Sequence, residues 1–277
     1  MDLVRSSGTG GAGAMSSIDT RGVLGIEDTD GVRLLTVERE GALNAYNDAV
    51  YDAIRDALDE AAGDDGIATV VLTGRGRSFC AGTDLAELAQ PVRYDDGLPH
   101  GFGPFIATVE TFPKPLIAAV NGIAVGIGLT LLPHCDVVLV SDKARLRAPF
   151  VTLGVTAEAG STFLLPTLIG WQRTAELIYT ARWIDGPTAF EWGLASRLCA
   201  ADDLLAEAMT LATAIAHMPV PSLTATKQLL LDARLDAIRT ARDRENVTFA
   251  ELLGGPANKE ALAAFREKRE PDFRKRS

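Results

Sequence analysis

The sequence is short of basic charge. Lysine and arginine together number 27 against 37 aspartates and glutamates, a formal −10, so it offers no positive field to track a nucleic-acid backbone or an anionic membrane. Neither is an expected partner, and a polyanionic small molecule would have to be met by local amides and a few placed cations. Cysteine is scarce: Cys80, Cys135 and Cys199 form no CxxC pair and no metal-like cluster with the three histidines, which fits a reducing, cytoplasmic setting without a metal centre. The longest apolar stretch, Pro115 to Leu132, is interrupted by Asn121, Gly122, Gly126 and Gly128, which argues against a spanning helix. The opening MDLVRSSGTGGAGAM lacks a signal-peptide core, and the closing RKRS is not a receptor-read address. The expectation is a soluble protein.

What is there is enough to build a large core: 277 residues, 47% of them apolar, support one sizeable domain with or without a helical appendage. Residues 1–20 are Gly/Ser-rich without hydrophobic period and are expected to be a disordered tail, in which Met15 offers a second start. Gly8 to Gly13 match the dinucleotide spacing G-x-G-x-x-G, but no strand precedes them and no helix follows. A flexible tail is the better reading.

From Val23 the pattern alternates. Val32 to Glu38 and Thr69 to Thr73 read as strands with an amphipathic helix from Asn47 to about Ala61 between them, and Leu116 to Val120 and Val137 to Val140 read as further buried strands. After Gly160 almost everything reads as helix, over 174–180, 187–192, 202–217, 222–231, 235–253 and 258–269. The fold class is α/β, with a sheet-containing front and a helical back.

Two glycine-bearing segments each follow a buried strand. Ser78-Phe79-Cys80-Ala81-Gly82-Thr83-Asp84-Leu85 leaves a Gly74-Arg75-Gly76 turn and enters a helix-like run. Alone it is more often a plain turn, because Gly and Asp are ordinary turn residues. Asn121-Gly122-Ile123-Ala124-Val125-Gly126-Ile127-Gly128-Leu129-Thr130 ends a strand and opens a helix at Gly126. Free amides there suit a developing oxyanion, while close backbone packing explains the glycines equally well.

Taken together and in this order, the two segments resemble the signature of the crotonase, or enoyl-CoA hydratase/isomerase, family. The resemblance runs from Ala42-Leu43-Asn44-Ala45 through Phe112 to Gly122 and on to Ala264-Phe265-Arg266-Glu267-Lys268-Arg269. It implies a crotonase-like spiral of β-β-α units over 21–205 and a C-terminal helical trimerisation region over 206–277, assembling as a homotrimer or homohexamer. It also implies an acyl-CoA substrate, with no cofactor beyond the CoA thioester itself, held between two main-chain amides. Carried onto this sequence, those amides belong to Thr83 and Ile127. The adenine end of CoA is expected near Ala81, its phosphate near Lys268, and Phe249 matches an aromatic at the inter-subunit edge.

The family's hydratase branch uses two glutamates, and the matching positions here are Thr130 and Phe150, neither of which exchanges a proton with water at neutral pH. One carboxylate lies nearby, in Gly154-Val155-Thr156-Ala157-Glu158-Ala159-Gly160. Outside this context Glu158 is more often a solvated loop carboxylate. Within it, the position resembles the lone catalytic glutamate of monofunctional 3-enoyl-CoA to 2-enoyl-CoA isomerases, and Glu158 is expected to carry a proton from C2 to C4. Other hydratase-like or thioester-hydrolysing chemistry on this scaffold, and a non-catalytic acyl-CoA-binding role, remain as alternatives.

The remaining tempting residues carry plainer readings. His134 is expected to pack at a helix end, Asp84 to be a helix N-terminal charge and Asp136 to cap or turn the chain. The loop Pro91 to Pro104 is expected to cover the acyl pocket. Trp171, Trp183 and Trp192 are expected to pack in the helical back or between subunits.

Overall fold

The computed structural model describes residues 20, 22–89, 92 and 94–274. The expectations for residues 1–19, including the glycine spacing and Met15, and for the last three residues lie outside the described residues.

The chain begins with an antiparallel hairpin of β1 (Leu24–Thr29) and β2 (Val32–Val37), followed by α1 (Asp48–Gly63). α1 starts where expected because the Asn47 side chain accepts from Val50 N at 3.2 Å, satisfying an amide the helix cannot. Its buried residues Val50, Ala53, Ile54, Ala57, Leu58 and Ala61 fall at three- and four-residue spacing, one face turned to the core.

Next come β3 (Thr69–Gly74), β4 (Ser78–Cys80), α2 (Leu85–Ala89) and α3 (Phe102–Thr111); then β5 (Leu116–Val120), β6 (Ile123–Val125), α4 (Ile127–Thr130), β7 (Val137–Ser141) and β8 (Arg145–Arg147). In each of the pairs β3/β4, β5/β6 and β7/β8 the first strand joins one sheet and the second strand joins another. The large sheet runs β1-β2-β3-β5-β7 and the small one β4-β6-β8, with all joins after β1 parallel. Each β-β-helix turn therefore advances one strand in both sheets at once, which is a spiral.

Beyond Gly160 lie α5 (Ser161–Ile169), α6 (Trp171–Thr180), α7 (Gly186–Trp192), α8 (Leu204–Ala216), α9 (Val220–Asp232), α10 (Leu235–Leu252) and α11 (Pro256–Glu267). Almost everything there is helix as expected, and two of the gaps between the helices hold short strands. β9 (Ile184–Asp185) pairs antiparallel with β8, and β10 (Arg197–Cys199) pairs parallel with β7. At two and three residues these strands are too short for a period of two to register in the sequence; they exist because the sheets offer an edge.

The large sheet is buried on both faces, which explains its uninterrupted apolar runs. Leu35, Val70, Leu72, Ala118 and Val140 point into the main core with α1 and α3. Leu34, Val71, Ile117 and Leu139 point the other way, against Leu204, Ala208 and Ala212 of α8. No single helix among the described residues is long and apolar enough to cross a membrane.

Of the tryptophans, Trp192 ends α7 and packs partly buried against the main core as expected, whereas Trp171 is 72% exposed and Trp183 lies outside any helix. Arg145 and Arg147 stack over Trp183, and Arg173 and Arg182 over Trp192.

Candidate active site

The parallel pairing of β4 with β6, Ser78 to Ile123 and Cys80 to Ala124, puts the two glycine-bearing segments side by side. Both strands end within a few residues of a glycine at positive φ, Gly82 at +104° and Gly126 at +55°. A Cβ built on Gly126 would stand 3.7 Å from Gly82 Cα, and one on Gly82 would stand 3.3 Å from Val125 O. Gly128 is more constrained still, since its Cβ would meet Cys80 O at 2.4 Å. These glycines are there because two backbones nearly touch.

Thr83 and Ile127 follow these glycines. Tyr46 N donates to Gly82 O and Asp84 N donates to Tyr46 O, both at 2.8 Å, so the chain on either side of Thr83 is tied down while the Thr83 amide has no acceptor among the described residues. Ile127 is the first residue of α4, and its amide too has no acceptor there. Both residues line one cavity of about 750 Å³, together with Ala81, Phe150, Val155, Glu158 and Phe249. The volume suits an extended organic ligand.

One wall of the cavity is Ala42, Leu43 and Ala45. Leu43 and Asn44 adopt positive φ, 52° and 56°. Asn44 holds that shape by accepting from Arg39 N at 2.9 Å and donating to Arg75 O at 2.9 Å and Ser78 O at 2.6 Å. Asn tolerates this conformation better than most residues, which explains the Ala42-Leu43-Asn44-Ala45 pattern.

Glu158 is half-buried in the wall. Desolvation first, and the negative charge of Glu245 second, push its carboxyl from 4.5 up to about 7. No hydrogen bond or ion pair to its carboxylate is found among the described residues. Asp84 also lines the cavity, but Arg39 donates to its Oδ2 and Ala86 N to its Oδ1, each at 3.0 Å. It is the helix N-terminal charge expected of it. Thr130 is fully buried with its hydroxyl donating to Gly126 O at 3.3 Å, and Phe150 is 4% exposed.

The other sequence-derived positions divide. Ala81 and Phe249 line the cavity. Lys268 ends α11 at φ 53° and is exposed; the neighbouring Arg269 lines the cavity and Lys268 does not. The expectation for the loop 91–104 is corrected: none of its described residues lines the cavity, and Pro104 sits inside α3. His100 instead holds that loop against α1 through Asp52 at 2.5 Å, while stacking on Tyr94.

Two residues near the site carried no usable signal in the sequence, and a third does more than its sequence reading gave it. Tyr51 looks like one more apolar position of α1, yet its hydroxyl is 2.8 Å from Thr83 Oγ1. Glu245 is hidden in the charged run Ala241-Arg242-Asp243-Arg244-Glu245-Asn246, yet is 4% exposed. His134 packs at a helix end as expected, but its Nε2 also donates to Ala159 O at 2.7 Å. Burial lowers the His134 ring to about 4, so it is neutral and Nε2 carries the proton.

Comparison with known proteins agrees with this geometry. The Enoyl-CoA hydratase/isomerase family model matches residues 27–276. The chain is 35% identical over 248 residues to 2,3-dehydroadipyl-CoA hydratase of Escherichia coli (strain K12), covering 88% of this chain and 96% of the relative. It is 32% identical to 1,2-epoxyphenylacetyl-CoA isomerase of the same organism, covering 88% and 95%. The crystal structure of an enoyl-CoA hydratase/isomerase from Pseudoalteromonas atlantica T6c superposes with a TM-score of 0.87 at 36% identity, over 91% of this chain and 99% of that one. With the spiral, the paired free amides and the cavity between them in place, the chain belongs to the enoyl-CoA hydratase/isomerase family and is an enzyme of that family.

Proposed function

We propose that this enzyme moves the double bond of a 3-enoyl-CoA to the 2-position, with Glu158 as its one proton carrier. The observation that carries the reading is that Glu158 lines the same cavity as the two free amides with its carboxyl raised to about 7, while Thr130 and Phe150 occupy the positions of a hydratase's two glutamates.

The thioester oxygen sits between Thr83 N and Ile127 N. Ionised Glu158 removes a proton from C2, and the electron pair moves into the carbonyl, giving a dienolate whose oxygen the amides hold. The C3–C4 double bond becomes C2–C3 as the protonated Glu158 returns the same proton to C4. No water enters the balance, so a second acid or base is not needed. A carboxyl near 7 suits a group that must act as base and then as acid. Each amide contributes on the order of 3 kcal/mol to the transition state.

Hydration is the second reading, favoured by the name of the 35% identical relative. It is the weaker one, because Phe150 has no exchangeable proton and the Thr130 hydroxyl is already engaged. For the rest of the ligand, Ala81 and Phe249 flank CoA, and Lys268 meets its phosphate, from this subunit or its neighbour. Exposed apolar side chains on the helical back, such as Leu229 (73%), Leu230 (65%) and Val247 (61%), support assembly as a homotrimer or homohexamer.

The deciding experiment follows conjugated 2-enoyl-CoA formation from a 3-enoyl-CoA with wild type and Glu158→Gln at equal folded concentration, with water addition to a 2-enoyl-CoA in parallel. Turnover of the 3-enoyl-CoA lost in the variant supports the reading. Hydration without isomerisation, or isomerisation retained by the variant, overturns it.

A further inference from the structure

Glu158 stands just before two consecutive left-handed residues, Ala159 at φ +62° and Gly160 at φ +68°. A non-glycine residue in that region is strained and persists only where its surroundings hold it. Two buried side chains from distant parts of the chain do so. His134 donates to Ala159 O at 2.7 Å. Glu245, on α10, accepts from Gly160 N at 2.6 Å, from Thr162 N at 2.8 Å and from Thr162 Oγ1 at 2.6 Å.

Glu245 thereby caps α5, whose own N-cap residue is Gly160 and has no side chain to do it. A neutral amide would turn an accepting oxygen to only one side of this turn, whereas the Glu245 carboxylate accepts from Gly160 N at Oε2 and from Thr162 at Oε1, at the cost of burying a charge. Among the described residues no ion pair compensates Glu245: Arg242, one turn earlier on the same helix, pairs with Glu110 at 2.7 Å instead. A buried carboxylate is thus retained beside the Glu158 loop with backbone amides and a hydroxyl as its partners.

We propose that Glu245 is a positioning residue for Glu158, acting through the backbone of Gly160 and Thr162, and that its negative charge is part of how the site handles the proton of Glu158. This rests on the reading of Glu158 as the proton carrier. The clamp fixes where the carboxyl stands in the cavity, and the charge disfavours its ionised form.

The other ionisable groups facing this corner are accounted for. Tyr51 from α1 and Cys80 from β4 are buried and raised, the thiol to about 12. His134 stays neutral, its protonation opposed by burial first and then by Arg234 and Arg242. Glu110 on α3 is raised by burial to about 7 and faces Arg242, Arg239, Asp243 and Glu245. Glu110 is therefore the second raised carboxyl in this corner, and Glu110→Gln separates its titration from that of Glu158.

The test compares full-length wild type, Glu245→Gln, Glu245→Asp and Glu110→Gln by two measurements. Steady-state kinetics on a 3-enoyl-CoA gives kcat and KM; a ¹³C titration of glutamate carboxyls, with the Glu158 signal identified by its loss in Glu158→Gln, needs no turnover. Expected for Glu245→Gln is a kcat lower by about tenfold or more with KM within about threefold, as for a misplaced reacting group, and a Glu158 midpoint moved to lower pH. Glu245→Asp keeps the raised midpoint but loses kcat, its reach being one methylene shorter, and Glu110→Gln leaves the Glu158 midpoint in place. A folded Glu245→Gln with unchanged kcat and unchanged midpoint overturns the proposal, as does one that loses only thermal stability. If Glu245→Gln does not fold, unchanged kcat in Glu245→Asp overturns it. Wild type inactive on 3-enoyl-CoA defeats the isomerase reading instead, and the titration still decides whether Glu245 acts on Glu158.

Discussion

Tyr51 Oη and Thr83 Oγ1 lie 2.8 Å apart, so a residue whose amide faces the cavity is anchored through its side chain to a buried aromatic cluster. Tyr51 itself is set by edge-on contacts with Tyr46 and Phe102 and a tilted one with Phe105, at ring separations of 5.4, 5.9 and 5.1 Å. Tyr51→Phe keeps that packing and removes the hydroxyl, leaving the Thr83 side chain free to turn. The expected result is a kcat lower by about tenfold, from a hydrogen bond of roughly 1 kcal/mol and the amide it aims, with thermal stability reduced by only a few degrees. Kinetics and a melting curve on the same preparation check it; an unchanged kcat would show that the backbone alone aims the amide.

Gly82→Ala is expected to cost kcat/KM about a hundredfold. Its φ of +104° is hostile to any side chain and Val125 O lies 3.3 Å from the new Cβ, so the Thr83 amide must shift, and a lost oxyanion donor is worth 10² to 10³ in rate. Gly63→Ala, where nothing lies within 4 Å and φ is ordinary, should leave activity unchanged and stabilise slightly.

Glu158→Gln should inactivate the enzyme and stabilise its ligand-free form at alkaline pH. The folded carboxyl titrates near 7 against 4.5 for the unreshaped group, so the folded state holds its proton more tightly. That preference favours folding below about pH 4.5 and is lost as pH rises through 7, above which the ionised group costs on the order of 1–3 kcal/mol. The difference in melting temperature between variant and wild type is therefore expected to be small at pH 5 and largest at pH 8. An equal difference at both would mean that the carboxyl is not perturbed.

The pH profile of kcat/KM should rise through an acid limb with a midpoint near 7, since the free enzyme needs Glu158 ionised to take the C2 proton. Glu110 also titrates near 7 but does not line the cavity, so Glu110→Gln is expected to retain that limb.

Asp136→Asn tests the fold rather than the site. Lys227, 6% exposed at its side chain, donates to Asp136 Oδ2 at 2.8 Å and to Lys114 O at 2.6 Å, and Asp136 Oδ2 also accepts from Leu116 N at 2.7 Å. Removing the negative charge strands a buried ammonium, with an expected loss of about 3 kcal/mol in denaturant unfolding and no change in the acid limb.

The strands Val32–Val37, Thr69–Gly74, Leu116–Val120 and Val137–Ser141 were legible because burial on both faces demands unbroken apolar runs, and α1 because its buried face repeats at helical spacing. The short strands β9 and β10 were not, since an edge created by distant residues makes them. The place of the loop 91–104 is not legible for a related reason: its polar composition says that it is exposed, not what it lies over.

For the site, the sequence by itself determined the types of residue available: glycines before Thr83 and Ile127, one carboxylate after Gly154, and no glutamate at 130 or 150. Those are local facts, because a backbone that must come within van der Waals reach of another excludes a Cβ whatever the rest of the chain does. Only the tertiary structure decided that Tyr51 steadies Thr83, that Glu245 and His134 grip the turn after Glu158, and that burial raises the Glu158 carboxyl. Contacts between α10 and the start of α5, or between α1 and the turn after β4, join residues 85 and 32 positions apart, and desolvation depends on everything packed around a group, which no run of neighbouring residues encodes.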